Sequence, residues 1–305
     1  MKFPLSSLHD RCLATLAYFD LFDYPLTLEE LERYFLGEQP SCQELTEFLN
    51  SQKHLIQQQD GYYFFRGRDQ IVLTREQRQV VSRRFWKKTR WILPLIQMIP
   101  FVKMVGVCNS LAFNNASNES DIDLFIVART GRLFIVRFYT IILFSLLGVR
   151  RHGNKIAGRF CLSFYVDESA MNLENIQSGK EDIYLPFWVL TMRPLYGRKT
   201  YEKFVRENVW ISKYFGRTLS LARDFWRPNV LRAIGLFKEF VLKGKLGDRI
   251  EKKLRTIQLN RHEKRFSKLP LEASIVVNEH MLKFHNVDRR NEISMRFEAK
   301  LQSIL

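Results

Sequence analysis

The run LFIVRFYTIILFSLLGV, Leu133 to Val149, constrains this chain most, because Arg137 is its only charged residue. A helix that is apolar on every side must face a protein core or a lipid bilayer. Spanning a bilayer takes about 20 apolar residues, and a charge near the middle costs a few kcal/mol. Seventeen residues with an internal arginine favour a helix buried against protein, with a membrane segment as the alternative. Integral insertion is therefore not expected. Such a helix needs something broad to lie on, and a chain that is 46% hydrophobic and 13% aromatic can supply it.

The neighbours of this run read as strands: FVKMVGV before it, DIDLFIVA directly before the Thr130-Gly131 turn, and GRFCLSFYV after it. Ser110 to Asn118 reads as a short helix and loop. Residues 91–200 are thus expected to form a mixed β-sheet with flanking helices. Residues 1–90 read differently. A helical spacing over residues 6–20 is followed by two capping boxes, Thr27 with Glu30 and Ser41 with Glu44. Asp60-Gly61 then marks a hairpin. Three helices and a hairpin is the winged-helix order. Its third helix carries Glu44 and Glu47 with only Lys53 at its end, which suits a packing or protein-contact role better than DNA reading. From about residue 181 the chain reads as helical, broken into pieces by Pro186, Pro194 and Gly197, and residues 201–305 read as a basic, mostly helical region. The fold class expected is α+β.

Charge divides the chain. Residues 1–60 hold four Lys/Arg and ten Asp/Glu, a net of −6; the remainder, with 44 and 22, carries +22. An anionic partner, such as nucleotide, nucleic acid or a membrane surface, is expected to meet the chain after residue 60. Nine Lys/Arg between residues 66 and 90, among Trp86 and Trp91, read as a solvated basic linker or a flank for a polyanionic substrate. Lys243 to Lys268 adds ten more Lys/Arg. Cys12, Cys42, Cys108 and Cys161 form no CxxC pair, which fits a reducing cytoplasm and argues against a zinc or disulfide framework. The N-terminal residues carry acids and no long apolar core, so no leader is expected there.

The chemistry gathers at the start of the second strand. Residues i and i+2 of a strand share a face, so Asp121 and Asp123 point together while Ile122, Leu124 and Ile126 point into a core. Two carboxylates about 7 Å apart at their α-carbons repel unless a cation lies between them. Mg²⁺, a hard cation that takes carboxylate and phosphate oxygens, is the natural occupant. Ser110, with ten residues between it and Asp121 and opening a short helix, adds a hydroxyl and exposed N–H groups suited to phosphate.

Asn109-Ser110, the spacer and Asp121-Ile122-Asp123-Leu124 together resemble the signature of the nucleotidyltransferase superfamily, which includes DNA polymerase beta, kanamycin nucleotidyltransferase and the small MNT-type enzymes. The wider run from Asn109 to Ser169 is similar to that of bacterial nucleotidyltransferase-domain proteins, and the resemblance covers residues of about 95–200. It implies that Asp121 and Asp123 hold Mg²⁺, that Asn109 and Ser110 hold the phosphates of a nucleoside triphosphate such as ATP, and that a nucleoside monophosphate passes to an acceptor hydroxyl. The acceptor, whether small molecule, protein or RNA, is left open. Lys155 and Arg159 are candidates to neutralise phosphate or acceptor charge. The chain departs from the family pattern twice. Asn109 stands where a glycine is usual, and the third carboxylate of active members has only Asp167 or Glu168 as candidates. Should neither reach the pair, a scaffold that binds nucleotide or nucleic acid in a regulatory role is the alternative.

Overall fold

The computed structural model describes residues 6–179, 182–220, 225–266, 274–285 and 288–305. Capping chemistry organises the start of the chain. Ser7 with Asp10 opens α1 (Leu8–Asp20), Thr27 with Glu30 opens α2 (Leu28–Arg33), and Ser41 with Glu44 opens α3 (Cys42–Ser51). In each box the hydroxyl accepts from a first-turn N–H while the carboxylate accepts from the cap's own N–H, so two orphan donors are satisfied. β1 (Leu26–Thr27) precedes α2; β2 (Ile56–Gln59) and β3 (Tyr62–Phe65) follow α3. Asp60 and Gly61 turn the hairpin with φ of +52° and +80°, as a two-residue turn of this hand requires. The three strands pair antiparallel in the order β1-β3-β2.

The next helix, α4 (Gln70–Ile92), differs from the expected solvated linker. Arg68, just before it, reaches Asp20 at 3.0 Å and Asp23 at 2.6 Å; Arg75 reaches Glu30 at 2.7 Å, and Arg78 reaches Asp23 at 3.5 Å. Arg75 is 3% exposed, with its guanidinium 3.6 Å from the centroid of the Tyr24 ring. The acidic excess of the first sixty residues is met here, because carboxylates packed this closely need counter-charges. In the second half of α4, Arg84 donates to Asn118 Oδ1 at 3.0 Å and Lys88 to Gly158 O at 2.6 Å, while Arg83, Lys87 and Arg90 are exposed.

A 3₁₀ turn, Leu93–Met98, leads into β4 (Val102–Cys108), α5 (Asn109–Ala112), β5 (Ile122–Ala128), α6 (Leu133–Leu146) and β6 (Phe160–Asp167). Then come α7 (Tyr184–Thr191), β7 (Arg193–Tyr196), α8 (Arg198–Glu207), α9 (Ser212–Phe215), α10 (Leu231–Val241) and α11 (Gly244–Phe266). The hairpin β8 (Ser274–Val277) and β9 (Met281–His285) and the helix α12 (Arg290–Ile304) follow. Among the described residues, six strands form one sheet in the order β7-β4-β5-β6-β9-β8. β5 and β6 run parallel, joined by the α6 crossover that parallel strands need; the other neighbours are antiparallel. The protein is α+β with a mixed sheet. The reading of the later chain as helical is corrected at three places, since β7, β8 and β9 lie in it. Pro194 is tolerated in β7 because that strand is the sheet's edge, where a missing N–H costs no ladder bond.

The apolar run becomes α6, packed between β6 and α11. Its arginine finds a partner: Arg137 Nη1 donates to Gln258 Oε1 at 2.6 Å, and its guanidinium lies 4.7 Å from the centroid of Phe284. Glu251 of α11 accepts from the N–H groups of Phe134 and Ile135 at 2.8 and 2.9 Å, so a carboxylate from a distant helix closes the N-terminus of α6. Glu251→Ala is expected to lower stability by about 1–2 kcal/mol, the usual worth of a lost cap; a urea midpoint equal to the wild type would refute it. No helix among the described residues is long and apolar enough to cross a membrane.

The first and last helices also meet. Tyr18 stacks on Phe187 at 3.7 Å and meets the Phe297 ring edge-on at 6.1 Å, while Lys300 Nζ reaches Asp20 at 2.7 Å.

Candidate active site

The site forms where β4 ends and β5 begins. Their antiparallel register sets Cys108 beside Asp123, and the parallel register with β6 sets Cys161 on its other side. Asp123 is thus hemmed in by two thiols near the middle of the sheet. Asp121 lies just before the strand. Oxygens of both carboxylates and the sulfur of Cys161 lie within 4.8 Å of one another.

At the end of β4 the backbone turns through Asn109 with φ +56°, a left-handed conformation that asparagine enters more readily than most residues. The departure from glycine carries contacts of its own. Asn109 Nδ2 donates to Asp123 Oδ2 at 2.8 Å, and Asn109 Oδ1 accepts from the Tyr184 hydroxyl at 3.0 Å. The backbone therefore bends and steadies the carboxylate in one residue. Ser110 follows on α5, where it lines a cavity of about 370 Å³ together with Asn109. Tyr18, Phe22, Phe187 and Trp188 provide aromatic walls there, and Arg289, just before α12, and Arg296 within it reach the same space.

The electrostatics differ between the two carboxylates. Burial, then the charge of Asp121, pushes the Asp123 carboxyl up to about 7, against the bond from Asn109 that favours its ionised form. Asp121 is instead met by Arg151, whose Nη1 lies 2.5 Å from Oδ2 and also 3.8 Å from Cys161 Sγ. Burial first, and Asp123 second, push the Cys161 thiol up, so it stays protonated and donates to Ser163 Oγ at 3.2 Å. The cluster of two carboxylates and a thiol could hold a divalent cation: the carboxylate oxygens are the hard donors that Mg²⁺ prefers, and a positive charge there would relieve Asp123.

The two candidates for a third carboxylate lie elsewhere. Asp167 pairs with Ala128, five residues along β5 from Asp123, or roughly 16 Å at the usual strand rise. It is fully buried and accepts from Ser169 N and Oγ at 2.9 and 2.6 Å and from His280 Nδ1 at 2.9 Å, a set of bonds that joins β6 to the β8–β9 turn. Glu168 N donates to Ala128 O at 3.0 Å, and its carbonyl accepts from Lys203 Nζ at 2.8 Å. Neither is brought to the Asp121–Asp123 pair, and Cys161 and Ser163 occupy the strand beside it. Lys155 is exposed in a turn that closes on His152, with its N–H donating to His152 O at 3.0 Å. Arg159 accepts through its carbonyl from Ile122 N at 2.8 Å. The loop does deliver a cation to the pair, but it is Arg151. Arg151, Tyr184 and Cys161 were not singled out from the sequence. Arg151 stood in an Arg-Arg-His run four residues before Lys155, which was the available signal for it.

No protein-family model, curated protein or solved structure matches this chain.

Proposed function

We propose that this chain is a divalent-cation-dependent nucleotidyltransferase that moves a nucleoside monophosphate from a nucleoside triphosphate, ATP among them, to an acceptor hydroxyl. The observation that carries the reading is the carboxylate pair, Asp121 and Asp123, beside the Asn109-Ser110 turn at the end of the adjoining strand. Asp121 and Asp123 would hold Mg²⁺, which neutralises the triphosphate and stabilises the leaving pyrophosphate. In the transfer the acceptor hydroxyl gives its proton to solvent water, its oxygen bonds to the α-phosphorus, the bond from that phosphorus to the bridging oxygen breaks, and pyrophosphate leaves. The aromatic cavity next to Ser110 has the size of a small-molecule site and would take the nucleoside, with Arg289 and Arg296 near its phosphates. Arg151 pairs with Asp121, and would be free to meet phosphate oxygens if a cation took its place on that carboxylate. The N-terminal helices and hairpin act as a winged-helix-like packing or protein-contact module. Four free thiols, two of them flanking Asp123, suit a reducing cytoplasm.

A second reading has its own observation. Cys161 and Ser163 stand on the strand beside the pair, where a third carboxylate would take the acceptor's proton. On this reading the site binds nucleotide without transferring it, in a regulatory role. Incubation with each α-³²P-labelled triphosphate, Mg²⁺ and cell lysate separates the two. Label that moves to an acceptor with wild type and not with Asp121→Ala/Asp123→Ala supports transfer. Nucleotide binding with no label moved supports the scaffold, and absence of both sinks the two readings together.

A further inference from the structure

A cleft of about 1250 Å³ lies between α2, the second half of α4, β7 and residues 217–220 and 225–226. It exceeds the usual range for small-molecule sites, about 300–1,000 Å³. Six cations line it, Arg33, Arg83, Lys87, Arg90, Arg193 and Arg217, against two carboxylates, Glu29 and Glu32. Glu29 is already paired with Arg33 at 3.4 Å. Arg83, Lys87 and Arg90 recur at i, i+4 and i+7, so they share one face of α4 and are all exposed. Arg193 is half-buried on β7, its guanidinium 5.6 Å from the centroid of the Trp86 ring. Tyr34, Trp86, Phe225 and Trp226 bring rings to the same space. A cleft that combines backbone-tracking cations with aromatic faces suits unpaired bases on a polyanionic strand, since each base offers a π-face and each phosphate a charge.

The cleft also adjoins the site. Thr191 lines both it and the aromatic cavity beside Ser110. The loop between them is shared, with Asn114 on the cleft side, accepting from Trp86 Nε1 at 2.9 Å, and Phe113 and Asn115 on the cavity side.

We propose that this cleft binds single-stranded nucleic acid and that the terminal hydroxyl of the bound strand is the acceptor at Asp121 and Asp123. The binding half stands on the cleft alone; the acceptor half rests on the nucleotidyltransferase reading. The test is fluorescence anisotropy of labelled RNA and DNA single strands of about 16 nucleotides, a span within the site sizes of single-strand binders. The strands are titrated with the full chain between about 50 and 200 mM salt, where phosphate contacts show their dependence. Wild type gives saturable binding. Arg83→Ala/Lys87→Ala/Arg90→Ala, with an unchanged circular dichroism spectrum, binds at least about tenfold more weakly, and its log–log salt slope is shallower by about 2, at roughly 0.7 per lost contact. Lys252→Ala/Lys253→Ala, which removes two exposed cations of α11 outside the cleft lining, binds like wild type, so the loss belongs to the cleft and not to net charge. The RNA and DNA arms show which sugar is preferred. No saturation at the lowest salt, or a triple variant that matches wild type in affinity and slope, overturns the proposal. Displacement of the strand by polyphosphate or polyglutamate at equal charge overturns the nucleic-acid assignment, and a blunt duplex that binds as tightly overturns the single-strand one. Binding without addition of labelled nucleotide to the strand's end, by a protein that labels another acceptor, overturns the acceptor half.

Discussion

In EDTA at pH 8, Asp123→Asn is expected to be more stable than the wild type, and in Mg²⁺ to transfer nucleotide far more slowly. The carboxyl is held up to about 7 in the folded chain and returns to its ordinary value, about 3.9, on unfolding. Between those values the folded chain keeps a proton that the unfolded chain has lost, so this group's contribution falls as pH rises across the window. Asparagine still accepts the bond from Asn109 and carries no charge. At about 1.4 kcal/mol per unit the ceiling is about 4 kcal/mol, and partial exposure brings the expected gain nearer 2. The gain should grow from about pH 4 to 7 and level off above, the window those two values set. Mg²⁺ should raise the wild-type melting temperature and leave the variant unmoved, because a ligand stabilises only the state that binds it. Losing one of two carboxylate ligands should lower transfer by about a thousandfold or more, the several kcal/mol that a catalytic metal supplies. A variant that melts below the wild type at pH 8, or that still responds to Mg²⁺, would contradict the site's electrostatics.

Gly197→Ala should leave little folded protein. Gly197 closes β7 with φ +90°, and a Cβ there would lie 1.9 Å from the carbonyl oxygen of Lys103. Lys103 is in β4, so the clash is with sheet backbone and no rotamer relieves it. The left-handed conformation adds about 1–2 kcal/mol for any L-residue. A total cost of about 5 kcal/mol or more rivals the whole stability of many domains. Soluble expression and a urea transition give the answer, and a midpoint close to wild type would mean that the edge strand moves freely. Gly131→Ala is the control for φ alone, since its φ is +72° and nothing lies within 4 Å of its Cβ position.

Local chemistry was legible in the sequence and distant pairing was not. The boxes at Thr27 and Ser41 and the turn at Asp60-Gly61 are signals within three residues, and the structure forms them as read. Asp121 and Asp123 share a site because strand alternation is local too. The pairing of Arg151 with Asp121 depends on a loop thirty residues away, and no periodicity encodes it. Tyr184 reaches Asn109 across 75 residues for the same reason. β8 and β9 escaped because runs of four and five residues are too short to reveal a period, and β7 because a proline discounts a strand unless its place at the sheet's edge is known. The arginines of α4 read as solvated because the sequence gives the charges of residues 1–60 and 66–90 separately, and only the fold sets one against the other.

The clasp between α1 and α12 also orders events at the ribosome. Lys300 and Asp20 are 280 residues apart, which at about 5–20 residues per second is a wait of roughly 15–55 s. Through that interval α1 can already hold Asp20 against Arg68, while Phe297 has yet to reach the edge of Tyr18. The nascent N-terminal segment therefore carries an unfinished aromatic face during most of its own synthesis. Its maturation is a late, long-range step, and a chaperone that covers aromatic surface would find its substrate there.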